Sequence, residues 1–225
     1  MKLYNASSLF EPRSIRQTPA DLAAIAAEVS DLDLVVVEAR SEQARRASAL
    51  APLLRGRLEV AIGLEVADDA LLRRLGKPTS IARFESAARA LAHAQILLRA
   101  FVLVQPPFVS PDRSRALAVR TFRLARASGA RVVSLLPVVS DHAPMERLRA
   151  EGSFSEIALE EYYAAVADCA AEGGAAVLAE LATLSRLPGC AACRPAREAA
   201  LAALNATGRL PPVSCADHCR PGAPP

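Results

Sequence analysis

The chain has 225 residues, a formal net charge of +3 and 52% hydrophobic side chains. That is enough apolar material for one domain-sized core with a satellite element, and too much for a disordered chain. No apolar run reaches the roughly 18–20 residues that a bilayer-spanning helix needs. Lys2 and Lys77 are the only lysines among 27 basic side chains. The arginine stretches at Arg45-Arg46 and Arg113 to Arg126 read as solvated helix faces, with phosphate contact as the alternative.

Taken in chain order, Met1-Lys2-Leu3-Tyr4-Asn5 opens on a short apolar run that leads into Glu11 and Pro12. No signal peptide is read there, so a cytoplasmic location with reduced cysteines is expected. Thr18-Pro19-Ala20-Asp21 predicts a helix start: a capping hydroxyl, proline at the first helical position and an acid three residues after the cap. Asp33 to Glu38 is compact and β-branched, which predicts a buried strand. Ser41 is placed to cap a helix through Leu54. Leu58 to Glu65 predicts the next strand, Ala67 to Leu75 a short helix ended by Gly76, and Thr79 or Ser80 the cap of another. Ile96 to Val104 predicts a strand stopped by Pro106-Pro107. Ser110-Pro111-Asp112 opens a long helix ending at Gly129, and Arg131 to Val139 predicts a further strand.

Strand–helix alternation implies parallel strands joined by right-handed crossovers, and near-continuous apolar strands imply that both faces are covered. No glycine-rich dinucleotide or P-loop motif follows a strand. The expected class is therefore α/β, as a partial or complete parallel barrel. The expected layout is a barrel portion over residues 1–140, a helical extension over 141–185 and a cysteine-rich tail over 186–225.

In such barrels function sits where strands end. The polar residues there are Asn5, Ser7 and Ser8; Glu38 and Arg40; Glu65; Gln105; and Ser140-Asp141-His142. Amide, hydroxyl, carboxylate and guanidinium groups around one mouth suit a zwitterionic, ribose-bearing small molecule. The alternative is that each residue caps a helix or makes a local ion pair.

The tail carries Cys190 and Cys193 as C-A-A-C, then Cys215 and Cys219 as C-A-D-H-C. Two close thiol pairs separated by a helical stretch have the spacing of a tetrathiolate site for zinc or an iron–sulfur cluster. His218 is placed to replace one thiol. Free cysteines in a proline-rich tail, or disulfides, are the other readings. Cys169 stands alone in an apparent helix and reads as a small core residue.

Several segments resemble the radical S-adenosylmethionine (radical SAM) superfamily, in the branch that contains the Elongator catalytic subunit and the archaeosine-pathway radical SAM proteins. Tyr4 to Arg13 resembles the second barrel strand and its loop, Val37-Glu38-Ala39-Arg40-Ser41-Glu42 the third-strand motif, and Ala61 to Asp69 the fourth-strand motif. Phe101 to Phe108 is similar to the fifth strand, and Val132 to Val138 stands where the sixth would be. Cys190 to Pro195 followed by Asn205-Ala206-Thr207 is similar to a cysteine motif found after the barrel.

The resemblance implies a radical SAM-type partial (β/α) barrel without its first strand, with a cysteine-rich C-terminal extension. It implies S-adenosylmethionine and a [4Fe–4S] cluster as cofactors, and a tRNA base or another small substrate. Asn5 to Ser8 would lie near the cofactor's amino group, Arg40 would take its carboxylate, and Glu38 and Glu65 would take amino or ribose hydroxyl groups. The family's C-x-x-x-C-x-x-C loop, which follows the first strand, is not in this sequence. The expectation is a truncated chain, inactive as given, whose missing N-terminal segment is encoded upstream. Two further readings stand beside this one. One is a non-enzymatic, zinc-stapled binding protein on an α/β scaffold. The other is an α/β-barrel lyase or hydrolase using Glu38 and Glu65 as acid and base.

Overall fold

The computed structural model describes residues 2–3, 10–11, 18–139 and 141–214. The elements in order are β1 (Lys2–Leu3), α1 (Pro19–Glu28), β2 (Val35–Ala39), a 3₁₀ segment (Ala44–Ala49), α2 (Ala51–Leu54), β3 (Leu58–Glu65), α3 (Asp69–Arg74), α4 (Ile81–His93) and β4 (Leu97–Val104). They continue with α5 (Pro111–Ala127), β5 (Ala130–Pro137), α6 (Ala143–Ala150), α7 (Leu159–Glu172), β6 (Ala176–Ala179), a 3₁₀ turn (Leu184–Arg186) and α8 (Arg194–Thr207). The strands form one sheet in the order β1-β2-β3-β4-β5-β6. The fold is α/β, and the sheet is not closed, as in a partial barrel.

Local chemistry sets the helix starts. Thr18 caps α1, its Oγ1 accepting from Asp21 N at 3.2 Å, with Pro19 at the first position. Asp68 caps α3 through Leu71 N at 3.0 Å, and Ser80 caps α4 through Arg83 N at 3.2 Å. Each cap satisfies an amide that has no partner inside its helix.

The helix expected from Ser41 to Leu54 does not form as one element. Pro52 has no N–H, and its ring would meet the carbonyl of Ser48 one turn earlier. The chain instead runs through the 3₁₀ segment and a single turn of α2, which stops at Arg55 in the left-handed region (φ 49°). Ser41 is not its cap: the Oγ lies 3.1 Å from Thr79 Oγ1.

The chain divides into two compact units, residues 1–101 with 124–133, and residues 102–123 with 134–225. In the first, β1, β2 and β3 pair in parallel, with Leu3 opposite Val37, Val36 opposite Glu59 and Glu38 opposite Ala61. Alternation along β3 puts Leu58, Val60, Ile62 and Leu64 on one face and Glu59, Ala61, Gly63 and Glu65 on the other. The first set is fully apolar and buried, and α4 packs on β3 through an apolar stripe of Phe84, Ala87, Ala88 and Leu91. The register places Glu38 on the second face.

That second face contains a buried ion pair. Arg99 Nε of β4 donates to Glu59 Oε1 at 2.6 Å, and the two residues are 6% and 2% exposed.

The second unit is tied together by polar side chains that act as backbone partners. Tyr162 of α7 donates to Leu135 O at 2.7 Å and accepts from Glu180 N at 2.8 Å. Asn205 of α8 meets both Ala179 N and Ala179 O at 2.8 Å, which satisfies strand β6 as a neighbouring strand would. Arg115 and Arg123 of α5 pair with Asp168 and Glu172 of α7.

Removing one charge of a buried pair leaves the other desolvated and uncompensated, at a cost of about 3–5 kcal/mol. Arg99→Leu is expected to lower unfolding stability by about that amount in urea titration. The Glu59→Leu, Arg99→Leu double variant is expected to recover most of it. Equal stability of the single variant and wild type would show that the pair is not buried in solution.

Candidate functional site

Strands β2 and β3 end side by side, and a cleft of about 310 Å³ opens over their C-terminal ends. Glu38 and Arg40 line it from the end of β2, Gly63 and Glu65 from the end of β3, Phe101 from β4, and Lys77 from the connection after α3. The volume lies at the small end of the range for small-molecule sites.

The backbone gives this cleft its shape. Glu65 is left-handed, with φ 67°, although it is not a glycine. Such a conformation costs of order 1–3 kcal/mol and collects at functional sites. It turns the Glu65 side chain back along its own strand. A Cβ on Gly63 would collide with Glu65 Oε1, so glycine leaves the carboxylate where it stands and a larger residue would push it aside. Lys77 Nζ meets the other oxygen of Glu65 at 3.2 Å.

Arg40 is half exposed on its side chain and pairs with Glu11 at 3.3 Å. Glu38 carries a carboxyl raised above the usual carboxylate range, first by burial and then by the negative charge of Glu65. The cleft therefore holds two carboxylates whose mutual repulsion is relieved at Glu65 by Lys77. A ligand cation entering beside Glu38 would relieve it further. The exposed guanidinium at the rim matches a carboxylate or phosphate group.

The structure thus brings together Glu38, Arg40 and Glu65 of the residues expected at the mouth. Gln105 belongs to the second unit, is 1% exposed and is also left-handed (φ 56°). Its amide N donates to Ser114 Oγ and its Nε2 to Val109 O, while its Oε1 has no partner among the described residues. Asp141 forms an ion pair with Arg186, and His142 stands at the N-cap position of α6. Asn5, Ser7, Ser8 and Ser140 lie outside the described residues.

Sequence reasoning missed Lys77. Its signal was its rarity: one of two lysines in an arginine-rich chain, directly after a helix-ending glycine.

Of the tail cysteines, Cys190 is half-buried and Cys193 buried at the N-cap position of α8. Cys190 N donates to Glu160 Oε1 at 2.7 Å, and the same oxygen accepts from Arg197 at 3.2 Å. Gly189 has φ 154°, a conformation that side chains rarely adopt, and a Cβ there would press on Glu160 Oε2 at 2.7 Å. Cys215, Cys219 and His218 lie outside the described residues. Cys169 is buried in α7, and burial, with Asp168 and Glu172 adding to it, pushes its thiol up to about 12. Among the described residues no group of three or more His, Cys, Asp or Glu side chains is placed to hold a metal ion.

No family model and no curated protein sequence matches the chain. Solved structures do. The archaeal Elp3 of Methanocaldococcus infernus aligns with a TM-score of 0.55 at 14% identity, over 66% of this chain and 35% of that one. The HMG-CoA lyase of Brucella melitensis aligns with a TM-score of 0.54 at 14% identity, over 87% of this chain and 63% of that one. The radical S-adenosylmethionine methyltransferase TsrM of Kitasatospora setae aligns more loosely, with a TM-score of 0.41 at 17% identity, over 61% of this chain and 28% of that one. This chain spans about a third of the Elp3 structure and under two thirds of the lyase. What it shares with Elp3 and the lyase is the α/β fold. No helix among the described residues is long and apolar enough to cross a membrane.

Raising a carboxyl's pKa on folding stabilises the protein at low pH, and that contribution is lost as pH rises through the raised value. Glu38→Gln removes this loss. The variant's stability relative to wild type is expected to increase from acid to neutral pH, measured by thermal unfolding across pH 4 to 8. A pH-independent difference would show that Glu38 is not held in a desolvated, negatively charged setting.

Proposed function

We propose that the cleft at the ends of β2 and β3 binds S-adenosylmethionine, and that the chain is the barrel portion of a radical SAM-type protein acting on a tRNA base or another small molecule. The observation that carries this reading is the Glu38 carboxyl, raised by burial and by Glu65, in the same cleft as Arg40. S-adenosylmethionine presents an ammonium, a sulfonium, a carboxylate and a ribose diol. Glu38 meets a cation that its surroundings favour. Arg40 takes the carboxylate in exchange for Glu11, and Glu65 accepts from hydroxyl or ammonium groups. Phe101 supplies an apolar wall. The residues present fit this ligand in charge and hydrogen-bonding type. Asn5, Ser7, Ser8 and Gln105 join the set by sequence resemblance alone.

A [4Fe–4S] cluster does not fit the described residues. Its irons need thiolates. Cys169 is a buried thiol with a raised pKa, and Cys190 and Cys193 belong to the tail. No reductive step is assigned to this chain, and its role in this reading is to bind and orient the intact cofactor. Cytoplasmic reducing conditions are part of the same reading.

Calorimetric titration with S-adenosylmethionine tests it. Binding is expected to be weak and to tighten as pH rises and Glu38 ionises. Glu38→Gln and Arg40→Gln are each expected to weaken it about tenfold, while product analysis after anaerobic reconstitution with iron and sulfide yields no 5′-deoxyadenosine. Absence of binding, or binding indifferent to both substitutions, sinks the proposal.

The tail has its own proposal. Cys190 and Cys193 stand at the start of α8, the Cys190 amide held by Glu160, as one thiol pair for zinc or an iron–sulfur cluster completed by Cys215 and Cys219. Purified protein is expected to carry about one metal ion or one cluster, lost in Cys193→Ser. Metal-free protein from reducing buffers would refute the site.

A further inference from the structure

A second concavity of about 470 Å³ lies in the first unit, between the 3₁₀ segment and α4. Its lining is basic and hydroxylic: Arg45 and Ser48 from the 3₁₀ segment, and Ser86, Arg89 and His93 from α4, with Ala90 as the only apolar member. No carboxylate lines it.

The sequence explains why these groups converge. In α4 the positions 86, 89, 90 and 93 fall within one helical stripe, opposite the stripe of Phe84, Ala87, Ala88 and Leu91 that faces the core. Ser48 follows Arg45 by three residues, one turn of a 3₁₀ helix. The Ser48 hydroxyl donates to Arg45 O at 2.7 Å, which fixes the turn. Arg45 is then braced across the groove, its NH2 donating to Ser86 Oγ at 3.1 Å. Arg89 and His93 are exposed, and neither has a hydrogen bond or ion pair among the described residues.

A guanidinium stands on each wall, Arg45 held across the groove by the Ser86 hydroxyl and Arg89 exposed on α4, and no carboxylate is among the lining residues. That arrangement leaves coordination capacity for a multivalent oxyanion. Arginine forks match phosphate oxygens, and serine hydroxyls add neutral donors.

We propose that the groove of Arg45, Ser48, Ser86, Arg89 and His93 is a docking site for the phosphodiester backbone of a single-stranded RNA segment. The choice of RNA as the polymer rests on the proposed nucleic-acid substrate, whereas the phosphate site rests on the groove alone. The groove shares no lining residue with the cleft of Glu38 and Glu65, so the two can be tested by separate substitutions.

The test is fluorescence anisotropy with a labelled 15-nucleotide single-stranded oligoribonucleotide, for wild type, for Arg45→Gln with Arg89→Gln, and for Glu38→Gln. The groove variant is expected to bind at least tenfold more weakly. Its slope of log affinity against log salt should fall by about 1.4, because each phosphate neutralised on a single strand contributes about 0.7. Its unfolding midpoint and its S-adenosylmethionine titration should match wild type. Glu38→Gln should bind the oligonucleotide as wild type does. Unchanged RNA affinity in the groove variant overturns the proposal, whatever the cofactor titration gives. So does competition by inorganic phosphate alone at concentrations where the RNA no longer binds better than free phosphate. Equal loss of binding to vesicles containing phosphatidylserine, with no RNA binding by wild type, would assign the groove to a membrane instead.

Discussion

The ion pair between Glu59 and Arg99 constrains the first unit more than any other contact. Both side chains lie on strands of one sheet and both are nearly inaccessible to water. Two charges removed from solvent are tolerated only when they meet each other, so β3 and β4 are held in a register that lets them do so. A slip of one residue would send the two groups to opposite faces. The pair also marks the face of β3 opposite α4 as the one that accepts charge. Further along that face stand Gly63, Glu65 and, from β2, Glu38.

Electrostatics then becomes the theme of the strand ends. The cleft gathers more negative than positive groups of its own strands, and residues from its surroundings balance them. Lys77 meets Glu65, and Glu11 meets Arg40. Each partner is a placeholder of the kind a zwitterionic ligand could replace: an ammonium for Lys77, a carboxylate for Glu11. Glu38 has no such partner among the described residues, and burial and the charge of Glu65 raise its pKa. The left-handed backbone at Glu65 is the mechanical counterpart, since it aims a carboxylate into space kept open by Gly63.

The fold alone does not select a reaction. The same architecture aligns with Elp3 and with an HMG-CoA lyase at equal identity and nearly equal TM-score. Function has to be read from the site grafted on the scaffold. Here the site holds two carboxylates, a guanidinium and an ammonium, and no group of three or more His, Cys, Asp or Glu side chains placed for a metal stands among the described residues.

The sequence by itself determined the secondary elements from Leu58 to Gly129 closely, because their signals are local: β-branched runs, Thr79 or Ser80 as a cap, Gly76 as a stop. It also determined that Glu38, Arg40 and Glu65 stand at strand ends, since alternation and strand length fix a residue's position along its own strand. It misjudged the Ser41 to Leu54 segment, where Pro52 outweighed a favourable helical composition. Only the tertiary structure decided which distant residues complete each site. The Lys77–Glu65 contact, the Glu59–Arg99 pair, the Arg45–Ser86 bridge and the clasp of Asn205 on β6 join positions twelve or more residues apart. Their partners are selected by strand register and helix packing, which depend on the whole chain, so no local pattern of residue types contains them.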